Sequence, residues 1–250
     1  MMTMTENERA KTLSIIQSNY IPWKGYFDMI RQSDVLVLFD NVQSTKNDWR
    51  NRNRIKSANG EVWLTIPIHH SLGKRISEVT VADRKWARRH FRTIEQSYTR
   101  APYMAKYRDW LYDLYNRAAE LQTLSSINRL FLYAILEKLK IETQVVEAAD
   151  VLPVEELDAL SPTARLVAIA RKLRGRTYIS GPAAQSYLDE ISFREAGISV
   201  TWMRYEGFPQ YPQLHGQFRH DVSVIDLLLM TGPEAQRYLD RVDPVDSMNE

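Results

Sequence analysis

Leu13-Ser14-Ile15-Ile16-Gln17-Ser18-Asn19-Tyr20-Ile21-Pro22-Trp23-Lys24-Gly25-Tyr26-Phe27-Asp28-Met29-Ile30, followed by Asp34-Val35-Leu36-Val37-Leu38-Phe39, is the stretch that decides the fold. Leu13 to Gln17 has the length and apolar character of a buried strand, and Trp23 to Gln32 reads as a helix entered through Pro22. Asp34 to Phe39 is a second strand, with β propensity from Val35, Val37 and Phe39. Two strands around a short helix make a βαβ unit, the building block of a parallel sheet. The connection carries more than a turn requires: Gln, Asn, two Tyr, Trp, Lys and Phe crowd around one Pro and one Gly. In open α/β sheets ligands bind beyond the carboxyl ends of the strands, so this segment is the first candidate for a binding site.

Outward from it, residues 40 to 60 are expected to be irregular, and Glu61 to Ile68 a strand ending at Pro67. Asp83 to Leu139 turns helical: Tyr107, Trp110, Leu111, Leu114 and Tyr115 share one spacing, as do Ile127, Leu130, Phe131, Ile135 and Leu139, which is the pattern of core packing. Thr143 to Val146 is expected as a strand, and Ser161-Pro162 as N-cap and first residue of a helix running through Leu173. Further strands are expected at Thr177–Ser180 and Ile198–Met203. Helices are expected at Ala183–Asp189, Val222–Met230 and Pro233–Arg241. Strands alternate with helices in both halves, which predicts an α/β fold. Its form is a Rossmann-like, mostly parallel sheet flanked by helices, with a central helical insertion or subdomain. The expected organisation is a single α/β domain over 12–242 with a helical block at 83–140, between flexible ends at 1–11 and 243–250.

Composition narrows the function classes. The 250 residues contain no cysteine, which excludes disulfides, thiolate catalysis and cysteine-ligated metals. No apolar run approaches the ~20 residues of a membrane span, and the polar start of the chain is neither a signal nor a transit peptide. A cytoplasmic protein is expected. Net charge is +2, but residues 46 to 100 hold thirteen Lys/Arg against five Asp/Glu, and 142 to 158 hold six acids and no base. A pair of solvated helical faces fits this asymmetry, and so does an anion-binding half for phosphate or pyrophosphate. The small net charge argues against extended nucleic acid as a partner. The five histidines make no metal-ligand spacing, so no metal site is expected, and no Walker loop, Gly-x-Gly-x-x-Gly or Gly-x-Ser-x-Gly is present.

A second dense cluster is Phe39-Asp40-Asn41-Val42-Gln43, then Asn47-Asp48-Trp49-Arg50-Asn51-Arg52-Asn53-Arg54-Ile55-Lys56. Asp40, at the end of the second strand, is a base, a ribose-hydroxyl acceptor or a turn residue. In an extended backbone Arg50, Arg52 and Arg54 would share one side and Asn51 and Asn53 the other; guanidinium forks suit phosphate and carboxylate. Tyr178-Ile179-Ser180-Gly181-Pro182 is a strand–Gly–helix junction whose amides are placed for an anion.

These clusters, in this order, resemble the WbqC-like protein family of bacterial polysaccharide gene clusters. The resemblance rests on Gln17, Tyr20, Pro22-Trp23, Gly25-Tyr26-Phe27, Phe39-Asp40, Val42-Gln43, Trp49, Asn51-Arg52-Asn53, Ile55-Lys56 and Trp63-Leu-Thr-Ile-Pro67. Farther on, Tyr178, Ser180-Gly181, Tyr187-Leu188, Ser223 and Ile225-Asp226-Leu227-Leu228 fit, so it spans about residues 13 to 232. It implies sugar modification: transfer of glycyl or another acyl group to an amino sugar. It carries no established catalytic residue. The opening motif is also similar to the strand–turn–helix of nucleotidyltransferases with a His-x-Gly-His signature, where this chain has Trp23-Lys24-Gly25-Tyr26. Both histidines are replaced by aromatics, leaving Lys24 as the cation there.

The first expectation is therefore an acyl- or aminoacyltransferase acting on a nucleotide-linked amino sugar. Its donor would be an acyl or aminoacyl carrier, either a carrier protein or a charged tRNA; no cofactor is assigned. Asp40 is the expected base, with Gln17, Tyr20 and Asn53 as orienting or oxyanion donors. Lys24, Arg52 and Lys56 would hold phosphate or phosphopantetheine, and Trp23, Tyr26 and Trp49 would wall the pocket. Gln43, Ser180 and Asp226 complete the substrate-binding set. Two other readings stay open: a nucleotidyltransferase-like or adenylate-forming enzyme with a remodelled site, and a non-catalytic module that binds a nucleotide sugar or carrier.

Overall fold

The computed structural model describes residues 10–45, 48–69 and 71–241. Seven strands and nine α-helices occur among them. The strands are β1 (Lys11–Ile16), β2 (Val35–Leu38), β3 (Arg52–Ser57), β4 (Gly60–Thr65), β5 (Gln144–Glu147), β6 (Gly175–Ser180) and β7 (Ser199–Trp202). The helices are α1 (Lys24–Arg31), α2 (Trp86–Ser97), α3 (Met104–Ala119), α4 (Leu124–Lys138), α5 (Ala148–Val151), α6 (Val154–Asp158), α7 (Pro162–Lys172), α8 (Glu190–Glu195) and α9 (Val224–Thr231). The chain divides into two compact units. Over the described residues one comprises 10–17, Met29–Asn41 and Thr143–Arg204; the other comprises Ser18–Asp28, Val42–Glu142 and 205–241. The expected flexible ends fall mostly on 1–9 and 242–250, outside the described residues, whereas Lys11 pairs within β1.

The first unit is a five-stranded parallel sheet in the order β5-β2-β1-β6-β7. The fold is α/β and Rossmann-like. Counted by appearance in the sheet, the order is 3-2-1-4-5, and the direction of winding reverses between β1 and β6. β2, an unbroken Val-Leu-Val-Leu run, is buried along its whole length, as a central parallel strand must be. Leu13 pairs with Val35 on one side of β1 and with Tyr178 on the other. α5, α7 and α8 pack on β5, β6 and β7 respectively. The Ser161 hydroxyl accepts from the Ala164 amide and Pro162 follows it, so α7 begins where the sequence places its cap.

The second unit holds an antiparallel hairpin, β3–β4, and the expected helical block, resolved into α2, α3 and α4. Leu111, Leu114, Tyr115, Ile127, Phe131 and Ile135 form its buried centre. The expectation of irregular structure over 40–60 is corrected, because Arg52–Ser57 is a six-residue strand. Arg52 and Arg54 lie half-buried on one face with Lys56 buried farther along it, and Asn53 and Ile55 are buried on the other, so the strand shows one buried aliphatic and one hydrogen-bonded amide rather than an apolar alternation. Ala183–Asp189 and Pro233–Arg241, expected as α-helices, are 3-10 segments at Pro182–Ser186 and Gly232–Leu239. Both begin at a Gly-Pro pair, Gly181-Pro182 and Gly232-Pro233. Among the described residues no helix is long and apolar enough to cross a membrane.

Candidate functional site

In the sheet unit the parallel register brings three expected residues to one edge. Ile16 pairs with Leu38 and Ser14 with Ile179, so Gln17, Asp40 and Ser180 stand at the carboxyl ends of adjacent strands β1, β2 and β6. Gln17 and Ser180 bracket the point where winding reverses. Asp40 and Ser180 are buried.

The second unit carries the remaining expected residues, and it sorts them by role. Its centre is the turn after Ser18. Ile21 sits at φ 37°, a left-handed conformation that a β-branched residue adopts only under constraint. The constraint is visible. The Asn53 amide donates to the carbonyls of Tyr20 (3.1 Å) and Ile21 (2.9 Å), and the Ser223 hydroxyl donates to Ile21 at 2.7 Å. The Ser223 hydroxyl also caps α9 by accepting from the Ile225 amide. The Val224 amide donates to the Pro22 carbonyl, and Trp23 bridges to Ser223.

This strained turn forms one side of a cleft of about 250 Å³ lined by Asn19, Pro22, Trp23, Trp49, Asn53, Arg54 and Asp221. Trp49 and Trp63 are 43% and 44% exposed, and their rings lie 5.6 Å apart. The Arg52 guanidinium stacks 4.6 Å from the Trp63 ring, and Arg54 lies 5.7 Å from the same ring. Arg54 pairs with Trp63 directly across the hairpin, which makes this ladder a consequence of β3–β4 register. Arg54 also contacts Asp221, and Glu61 at 2.9 Å; Arg219 contacts Glu61 (2.8 Å) and Asp221 (2.9 Å). The four side chains close a ring of alternating charge. Burial pushes the Asp221 carboxyl up, but the Arg219 hydrogen bonds and both guanidinium charges outweigh it and hold it below the ordinary range.

Of the other expected residues, Lys24 is 2% exposed and its ammonium donates to the Pro209 carbonyl at 3.0 Å, facing the Phe208 and Tyr211 rings. Desolvation lowers its pKa to about 8. Asp226 is fully buried. It accepts from the hydroxyls of Tyr98 and Tyr211, both at 2.7 Å, and from the Gln213 amide at 2.8 Å. Burial still holds its carboxyl above the ordinary range. The Gln213 oxygen accepts from Lys56 at 3.1 Å, so one amide separates Lys56 from Asp226.

Tyr20 lies in the helical core with its hydroxyl 2.9 Å from His90 and 2.8 Å from Tyr115. Desolvation lowers the His90 pKa to about 4, so the ring is neutral near pH 7. With Nε2 donating to the Thr65 carbonyl (3.2 Å), Nδ1 accepts from Tyr20, and Tyr20 accepts from Tyr115. Tyr26 is buried against Phe27, and Gln43 is an exposed bridge partner of Arg75. Trp23, Trp49 and Asn53 thus meet in one cleft; Lys56 and Asp226 share one polar network, which Lys24 borders through the Tyr211 ring; and Tyr20, Tyr26 and Gln43 stand elsewhere in the unit. Among the described residues no group of three or more His, Asp or Glu is arranged to hold a metal ion.

The model of the WbqC-like protein family matches residues 17–238. The chain belongs to the WbqC-like family. The matched region contains every residue of the cleft and of the strand-end group. This WbqC-like protein is also 41% identical over 231 residues to an uncharacterized protein of Mycobacterium tuberculosis, Rv1507c, covering 92% of this chain and 97% of that one. No solved structure matches.

The cleft of this WbqC-like protein includes residues the sequence reading did not single out for the site: Asn19, Arg54 and Asp221, with Trp63, Glu61 and Arg219 beside it. The alternation of Arg52 with Arg54 was a usable signal for Arg54. Trp63 entered only through the family resemblance and Asp221 gave no signal, because cross-strand register and the 205–223 loop bring them there.

Proposed function

We propose that the protein is a transferase that places a glycyl or other acyl group on the amine of a nucleotide-linked amino sugar, in polysaccharide or glycoconjugate biosynthesis. The observation that carries this reading is the cleft walled by Trp23 and Trp49 and edged by Arg54 and Asp221. Indole faces stack on the C–H face of a sugar ring, while a charged pair at the edge answers its hydroxyls and amine. Family membership supports the same direction. In the reaction the amine nitrogen bonds to the acyl carbon, the bond from that carbon to the donor's ester oxygen or thioester sulfur breaks, and the amine proton leaves with the released hydroxyl or thiol.

The test is incubation of the protein with nucleotide-linked amino sugars and a glycyl ester or carrier thioester, read by mass spectrometry of the sugar. An acylated sugar is expected, and Trp49→Ala is expected to raise KM for the sugar about tenfold or more. Stabilisation by the sugar without turnover in any pairing would leave a binding module, and neither stabilisation nor turnover would sink the reading. Asp40→Asn tests separately whether the strand-end carboxylate takes part.

A second reading, nucleotidyl transfer or adenylate formation, draws support from the 3-2-1-4-5 strand order and its reversal of winding between β1 and β6. It predicts ATP-dependent release of pyrophosphate, which direct acyl transfer does not produce.

A further inference from the structure

A second, wider cleft of about 630 Å³ lies in the hairpin–helix unit, between the β3–β4 turn and the 215–219 loop. At its wall is Lys56, 5% exposed. The ammonium donates to two neutral oxygens, the Gln213 side chain at 3.1 Å and the Gln217 carbonyl at 2.7 Å. Among the described residues no carboxylate lies within 4.0 Å of it. Desolvation lowers its pKa, and Arg219 adds to that effect while Asp226 and Glu61 oppose it. A cation taken out of water without a direct counter-ion is costly unless something supplies one. Two of its three N–H groups are committed, which leaves the third for a ligand.

The loop facing Lys56 is built to match. His215 and Gly216 both have positive φ, 65° and 63°, and His215 Nε2 lies 2.9 Å from the Ser97 carbonyl, pinning the loop to the end of α2. The backbone N–H groups of Gly216, Gln217 and Phe218 have no acceptor among the described residues. Arg219 follows at the rim, with its guanidinium in the four-charge ring. The lining therefore offers two cations against one carboxylate, Glu61, together with a run of free amide donors. Lys24, the other buried ammonium, differs in kind: its charge rests against the faces of Phe208 and Tyr211.

We infer that this second cleft binds the phosphate of a phosphate ester, with Lys56 as the buried cation and the Gly216–Phe218 amides as donors. Its size admits a pyrophosphate with an organic group attached. A nucleoside diphosphate and a phosphopantetheine arm both present that chemistry. The site deepens the acyl-transfer reading by giving one substrate's phosphate a place, and its test uses binding alone, so either idea can fail without the other.

The experiment is titration of the full-length protein with pyrophosphate, uridine diphosphate and coenzyme A, followed by amide NMR and thermal stability. Pyrophosphate is expected to shift the Gly216, Gln217 and Phe218 amides and to raise Tm. A tighter response to uridine diphosphate or to coenzyme A identifies which ester is bound. Lys56→Gln is expected to weaken binding about tenfold or more, the effect of one charge-assisted hydrogen bond, and Lys56→Arg to retain part of it. Without ligand, Lys56→Gln should melt at or above the native temperature, because the substitution removes a buried charge that has no direct counter-ion. A Lys56→Gln protein that is folded and binds pyrophosphate as tightly as the native chain would overturn the inference. So would a native chain whose 216–218 amides do not respond, or a Lys56→Gln chain that is strongly destabilised without ligand.

Discussion

The Asn53 carboxamide holds the carbonyl of Ile21 at 2.9 Å, and Ile21 is a β-branched residue at φ 37°. A conformation of that kind costs about 1–3 kcal/mol and persists only where surrounding contacts determine it. Asn53→Ala removes both donors to the Tyr20 and Ile21 carbonyls, leaving Ser223 alone on Ile21. The expected loss is about 2–3 kcal/mol in urea unfolding, from buried acceptors left with fewer partners. Because the same turn forms the Pro22–Trp23 wall, binding to the cleft should weaken as well. A change within about half a kcal/mol, the range of an inert surface substitution, would show that Asn53 does not hold the turn.

Gly25 explains another part of the opening motif. A Cβ built there would lie 2.3 Å from a ring carbon of Trp23, so the indole reaches its position only by lying over a bare backbone. Gly25→Ala is expected to displace Trp23 while the helix beneath it persists, alanine being the better helix former. Thermal stabilisation by a nucleotide-linked amino sugar should fall sharply with far-UV circular dichroism unchanged. Equal stabilisation of the two proteins would remove Trp23 from the binding wall.

These two positions show what was legible in the sequence and what was not. Apolar runs in β1 and β2 declared a parallel sheet, since strands buried on both faces read as near-continuous apolar runs, broken in β1 only by the buried Ser14. β3 concealed itself, because its inner face is closed by the Asn53 hydrogen bonds and a single Ile55. The aromatic–cation ladder depends on Arg54 standing opposite Trp63, nine residues away along the chain and adjacent only through hairpin register. Asp226 was visible as an acid within an apolar helix. Its partners Tyr98 and Tyr211 were hidden, being more than a hundred residues apart in sequence from one another. Tyr20, in a motif rich in polar groups, looked like a site residue; its hydroxyl instead completes a chain from Tyr115 to His90 within the helical core.

Lys24 predicts a pH signature. Its pKa is lowered from 10.5 to about 8 by burial, so between those values the unfolded chain binds a proton that the folded chain has released. Stability therefore rises with pH across that window, and the penalty for the buried charge is fully present below about pH 8. The contribution is about 3 kcal/mol at most. Lys24→Met should unfold at higher denaturant than the native chain at pH 7, with the difference closing toward pH 10.5. Parallel stability curves for the two proteins would show that the ammonium is solvated.

Glu61 joins the two clefts of the hairpin–helix unit electrostatically, because it pairs with Arg54 beside one and with Arg219 beside the other. The ring's side chains are partly exposed, so removing one charge should change stability by no more than about 1 kcal/mol. Its effect on binding should be larger in proportion. Glu61→Gln removes the carboxylate that lines the second cleft and leaves Arg219 with Asp221 as its remaining ring partner. Pyrophosphate affinity is then expected to rise a few-fold, with a steeper dependence on salt, since exposed charges act through a screened field. Affinity unchanged or weakened in Glu61→Gln would mean that the anion does not feel this carboxylate, and would place any bound phosphate away from Arg219.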